Sequence, residues 1–225
     1  MQLIAYWATN SLYLTVLAIF LITIVVLVRK WLQASPRYYS DLPFILAVSF
    51  VFLTYDRIDS VLGLTGILPI TVASQLINLF GFLVIICLNL LIMLVIWMPE
   101  RKRLRTTFII AWFSLWIVLI SVLMGTIGSP DTLHSILAMM GLPIILLLTI
   151  TWFFCYFQKR LSNIHPLIVG IGFTIYLISM FVRIYVSLAG APIGYVFTDL
   201  HWIPGILDVI GWSIVLVGFS REATY

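Results

Sequence analysis

Hydrophobic residues run along this chain in long blocks, separated by short links rich in polar residues, proline and glycine. A helix rises about 1.5 Å per residue, so about 20 apolar residues cross the roughly 30 Å hydrocarbon core of a bilayer. Seven blocks reach that length, covering roughly residues 8–29, 42–62, 72–98, 106–127, 132–157, 166–189 and 200–220. The links fall at Pro36, Gly63 to Pro69, Pro99, Gly128-Ser129-Pro130, Pro166 and Gly190 to Gly194, where helix breakers gather. The pattern predicts an all-α polytopic membrane protein, with residues 1–225 forming a single domain of seven transmembrane helices.

Composition closes off the soluble alternative. With 63% hydrophobic and 9% charged residues there is too little polar surface to cover a water-soluble globule. Almost no sequence remains outside the blocks for a soluble catalytic module. Met1 to Asn10 carries no basic residue ahead of its apolar stretch, and Arg29-Lys30 follow that stretch. This is the reverse of a secretory signal peptide and predicts a permanent first span. The two cysteines, Cys87 and Cys155, sit inside apolar blocks without the spacing of a metal site or redox pair, and read as buried thiols.

Charge orients the chain. Arg29, Lys30 and Arg37 lie in the first link, Arg101, Lys102, Arg103 and Arg105 in the third, Lys159 and Arg160 in the fifth, and Arg221 after the last block. Ten of the 12 basic residues thus share one side, and the positive-inside rule makes that side the cytoplasm. The N-terminus is expected outside and the C-terminus inside, in a multi-pass protein of the cell membrane. A sequence pI near 9.2 is then accounted for by topology, and no nucleic-acid partner is expected. The run from Pro99 to Arg105 reads first as a topology determinant, with a signalling partner or anionic lipid as the other reading. The shared pair Arg57-Ile58 and Arg183-Ile184 roughly superposes spans one to three on spans five to seven, which suggests a parallel three-plus-one-plus-three repeat.

Two arginines, Arg57 and Arg183, are left at the outer ends of spans, and with them a set of polar residues. In span two Ser49, Asp56, Asp59 or Ser60, and Gly63 recur at helical spacing, and in span three so do Gln75, Asn78, Phe82 and Asn89. Span six offers Tyr176, Ser179, Arg183 and Ser187, span seven His201, Asp208 and Trp212, and span one Tyr6, Asn10 and Tyr13. Helical rise puts Asp56 ~21 Å above Leu42, Asp208 ~10 Å below His201 and Arg183 ~25 Å above Pro166, so the three levels roughly agree. A charge facing lipid at depth costs ~2.5–3.5 kcal/mol, so these groups are expected to converge and pair. Asp56 or Asp59 pairs with Arg183, or Asp208 pairs with Arg57 or Arg183. The expected ligand-binding set is Asp56, Asp59, Gln75, Asn78, Arg183, Asp208 and Trp212, in an outward-facing, net acidic pocket suited to a small cationic or proton-linked ligand. A network that only fixes helix packing is the competing reading.

His134 and His201 stand near Asp131 and Asp199 at outer helix ends, and read as interfacial histidines rather than metal ligands. Trp7, Trp202, Trp31 and Trp97 fit interfacial belts, while Trp112, Trp116, Trp152 and Trp212 are deeper packing candidates. Ser114, Ser121, Gly125 and Gly128 form a small-residue stripe in span four.

Seven spans with the N-terminus outside resemble a microbial opsin in layout, and Leu207-Asp208-Val209 is similar to a tripeptide of the opsin seventh helix. In that alignment Trp212 takes the place of the retinal-binding lysine, and Lys30, Lys102 and Lys159 all lie at cytoplasmic ends, so no covalent retinal and no other cofactor is expected. The layout also resembles sugar transporters of the SWEET type, but the Pro-Gln pair is lacking, and Pro43, Pro143 and Pro166 match only loosely. The polar residues point first to a receptor or sensor acting through another membrane or cytoplasmic protein. An accessory or structural subunit of a larger membrane complex comes next, then a small-solute or ion transporter. A transporter would need polar groups through the inner half, where Asn89, Thr149, Thr151 and Thr174 are the main ones. No metal motif, nucleophile with a base, or phosphate loop points to an enzyme.

Overall fold

The computed structural model describes residues 2–38, 41–64, 72–127, 130–189 and 202–223, with side chains for 7–38, 41–58, 61–62, 80–122, 141–185 and 202–223. These residues form seven helices, α1 (Gln2–Gln33), α2 (Leu42–Leu64), α3 (Val72–Trp97), α4 (Lys102–Ile127), α5 (Pro130–Phe157), α6 (Pro166–Ala189) and α7 (Trp202–Ser220). Among the described residues five segments are long and apolar enough to cross a bilayer: Trp7–Gln33, Phe80–Trp97, Lys102–Val122, Pro166–Tyr185 and Trp202–Ser220. The chain is a helical, multi-pass membrane protein.

Prolines open three of the helices. Pro130 and Pro166 are the first residues of α5 and α6, and Pro43 is the second of α2, positions where a missing N–H costs no helical bond. α1 and α4 depart from the hydrophobic blocks. α1 begins at Gln2 and runs to Gln33, and α4 takes in Lys102, Arg103 and Arg105. Apolar length sets how much chain lies in hydrocarbon, whereas backbone hydrogen bonding continues into the headgroup layer, where Lys, Arg and Leu are good helix formers.

The chain divides into two compact units, one of residues 1–27 with 149–225 and the other of residues 28–148, so the division falls within α1 and α5. In the first unit α6 and α7 pack along a glycine seam. A Cβ placed on Gly172 would lie 2.7 Å from the Gly211 carbonyl oxygen and 2.8 Å from the Val215 nitrogen, and one on Gly218 would lie 2.8 Å from the Val169 nitrogen. Two backbones can approach this closely only where small residues recur on facing stripes, as Gly211 and Gly218 do at a spacing of seven. Gly205 at the start of α7 receives Leu12 of α1, which sets α1 beside that end of the seam. At the other end the His165 amide donates to the Gly218 carbonyl at 2.9 Å, and the Ala223 amide to Ser162 at 2.9 Å. Trp152, fully buried, packs its ring on Phe173 and Phe219.

The second unit holds α2, α3 and α4. Leu83, Cys87 and Trp116 form the core of its α3–α4 contact, with Phe82, Trp112 and Phe113 packed against them. Both cysteines are buried and free. α2 buries Leu46, Phe50, Thr54 and Arg57, a stripe at helical spacing, and leaves Val51, Tyr55 and Ile58 exposed.

Candidate functional site

The polar end of the α6–α7 seam continues the same stripes that carry the glycines. On α6 the facing positions run Val169, Gly172, Tyr176, Ser179 and Arg183, and on α7 Pro204, Asp208, Gly211, Val215 and Gly218, each series at steps of three and four. The antiparallel pairing of these series sets Ser179 and Arg183 against Asp208. Pro204 lies in the first turn of α7, where helical amides have no intrahelical acceptor, so the turn tolerates it.

Asp208 is fully enclosed, at 0% exposure, and both carboxylate oxygens are engaged. The Arg183 guanidinium donates to Oδ2 at 2.5 Å. The Ser179 hydroxyl lies 2.6 Å from Oδ1 and 2.9 Å from the Pro204 carbonyl oxygen. A hydroxyl carries a single proton, so it donates to one of the two at a time, and the closer, charged acceptor is favoured. The carboxylate thus has both a counter-charge and a neutral donor, as a buried ion needs.

Arg183 differs from its partner in that its side chain is 35% exposed. Of the five N–H donors of a guanidinium, one binds Asp208, and the others have no acceptor among the described residues. Tyr176 and Tyr13 of α1 lie within electrostatic reach of it. Asn10, one turn before Tyr13 on α1, is buried, and its Oδ1 has no hydrogen-bond partner among the described residues.

One turn below Asp208, Trp212 forms the floor of the cluster. Its ring is tilted against Tyr176 with centroids 4.6 Å apart and meets Phe20 and Phe173 edge to face at 4.9 and 5.6 Å. Edge-to-face contacts of this kind fix a ring beyond what area burial alone does. Trp212 packs among these rings, and Tyr176 links it to the polar groups above.

Of the seven residues expected at the site, the structure brings together Arg183, Asp208 and Trp212. Of the pairings expected for Asp208, the one with Arg183 is present. Asp56 is half-buried on α2, within the other compact unit, and Asp59, Gln75 and Asn78 lie outside the described side chains, as do His134, His201, Asp131 and Asp199. Arg57 is 5% exposed and continues the buried stripe of α2. Its spacing from Leu46, Phe50 and Thr54 is the signal in the sequence for that burial. The aromatic floor of Phe20 and Phe173, and the close approach by which Ser179 reaches α7, arise only from helix packing and have no local signal in the sequence. No protein-family model matches this chain, no curated protein matches it, and no solved structure matches it.

Proposed function

We propose that the chain is an integral membrane receptor or sensor that acts through a separate membrane or cytoplasmic partner, with the α6–α7 polar cluster as its ligand-facing group. The observation that carries this reading is the asymmetry of the ion pair. Asp208 is sealed with both oxygens engaged, while Arg183, among the described residues, is held by one bond and keeps donors to spare. The buried Asn10 oxygen adds an acceptor one turn from Tyr13, and a buried polar atom without a protein partner marks a place for water or a ligand group. A small ligand carrying both an acceptor and a donor suits this set. A cationic or proton-linked ligand, as the acidic excess in the sequence suggests, would have to compete with Arg183 for Asp208.

The reading includes seven spans with the N-terminus outside and the C-terminus inside, supported by the one-sided distribution of basic residues, and a three-plus-one-plus-three repeat, supported by the shared Arg-Ile pairs. In a variant without Cys87 and Cys155, Tyr13→Cys and Tyr176→Cys should react from the outer side with a water-soluble, impermeant thiol reagent. Protection of both would remove the hydrated site. In that case an accessory subunit becomes the better reading, one already favoured by the close backbone contact of the α6–α7 seam, which suits a rigid structural element.

A further inference from the structure

Close contacts fix two registers in the first unit, and together they bring Asn10 level with Arg183. Leu12 of α1 meets Gly205 and Phe20 meets Trp212, so α1 and α7 run in the same direction and Asn10 comes level with Trp202 and Ile203. α6 runs the opposite way, with Val169 against Gly218 and Tyr176 against Gly211, which brings Arg183 level with Ile203 and Pro204. Asn10 and Arg183 thus stand within about one or two residues' rise, ~1.5–3 Å, of the same level along the helices. Across the helices, Tyr13, one turn from Asn10 on α1, is within electrostatic reach of the Arg183 guanidinium.

The two groups complement each other in what they lack. Asn10 is 6% exposed and its Oδ1 accepts no hydrogen bond, although buried amide oxygens are nearly always paired. The half-buried Arg183 offers N–H donors beyond the one on Asp208. A molecule that serves both presents an acceptor to the guanidinium and a donor to Asn10. Its charge follows from the balance already struck. Among the described residues α1 carries no charge between Trp7 and Leu27, and the other charged side chains of the unit, Lys159, Arg160, Arg221 and Glu222, lie at the opposite end, where α5 and α7 finish. Arg183 and Asp208 therefore cancel. An anion on Arg183 would set a second negative charge near the Asp208 carboxylate, and a cation would face Arg183 itself, since both carboxylate oxygens are enclosed and engaged. Either ion leaves a partly buried charge uncompensated, and an uncharged molecule does not.

We infer that the ligand of this cluster is a small uncharged molecule of the amide or urea class, whose carbonyl oxygen accepts from Arg183 and whose N–H donates to Asn10. The inference rests on the cluster being the ligand-facing group of the protein, and it replaces the cation that the acidic excess of the sequence suggests. An amide holds its acceptor and its donor in one plane with no rotor between them to immobilise, which suits the planar guanidinium and the planar asparagine side chain. Asp208 and Ser179 do not touch the ligand; they position Arg183.

Acetamide, acetate and acetamidinium test this on one planar skeleton: the first offers a donor and an acceptor, the second only acceptors and the third only donors. The full-length protein in neutral detergent is titrated with each at matched ionic strength, and the rise of the melting midpoint with concentration gives the apparent affinity. Acetamide should bind at least about tenfold more tightly than either ion. Asn10→Leu should weaken acetamide binding about tenfold, the share of one hydrogen bond, and Arg221→Gln at the opposite end should leave it unchanged. The comparison of the three probes on the unaltered protein stands even where Asn10→Leu fails to fold. Thiol labelling of Tyr13→Cys and Tyr176→Cys, run in parallel, separates two failures. If the cysteines react, then equal or tighter binding of either ion, no stabilisation by acetamide, or acetamide binding undiminished in Asn10→Leu would overturn the inference and leave the receptor reading in place. If both cysteines are protected, the receptor reading falls and the inference falls with it.

Discussion

Asparagine at position 208 keeps the shape of the α6–α7 contact and removes its charge, so Asp208→Asn isolates what the ion pair contributes. In the variant Ser179 can still donate to the side-chain oxygen, but the bond falls from charge-assisted strength, ~1.5–3 kcal/mol, to that of a neutral pair, ~0.5–1.5 kcal/mol. The amide nitrogen now meets the Arg183 N–H, donor against donor, and the arginine loses its counter-charge. Breaking a buried pair from one side costs ~3–5 kcal/mol. Arg183 is 35% exposed and can be partly hydrated, so the loss belongs at the lower end, about 3 kcal/mol. Arg183→Gln alone should cost as much or more, because it removes the positive charge beside a fully enclosed carboxylate. In the double variant the two amides can hydrogen-bond, and the combined loss should be smaller than the sum of the single losses by ~1–2 kcal/mol, within the range of contacting residues. Thermal unfolding of all four proteins in one detergent, followed by tryptophan fluorescence and by helical circular dichroism, measures the cycle. Strictly additive losses, or four equal midpoints, would refute the coupling.

Three further substitutions test the packing. Gly172→Ala puts a Cβ within 2.8 Å of α7 backbone atoms that cannot turn aside, so it should cost at least the ~1–3 kcal/mol of an overpacked core, whereas Gly81→Ala, whose Cβ would sit 3.8 Å from the Tyr55 ring, should be nearly neutral in the same melting assay. Ser179→Ala should lower the midpoint by less than Asp208→Asn, since it removes one donor and leaves the charge pair intact; an equal or larger loss would show that the serine, not the arginine, holds the carboxylate. Lys159 adopts φ 51° after α5, with the Arg160 amide bonded to the Cys155 carbonyl and its own amide to Tyr156, a helix-ending arrangement that usually takes glycine. Lys159→Gly should therefore raise stability by about 1 kcal/mol, and a lowered midpoint would contradict the strain.

The helical class and the membrane setting were legible in the sequence, because apolar length is a local property and every backbone polar group in hydrocarbon must be satisfied within its own helix. Local periodicity likewise placed Tyr176, Ser179 and Arg183 on one face of α6, and cost alone required Asp208 to have a partner. Which partner it has is not a local matter. Arg57 and Arg183 were both candidates by charge, and the pairing with Arg183 depends on the glycines at 172, 211 and 218, which draw α6 and α7 together until Ser179 and Arg183 reach the carboxylate.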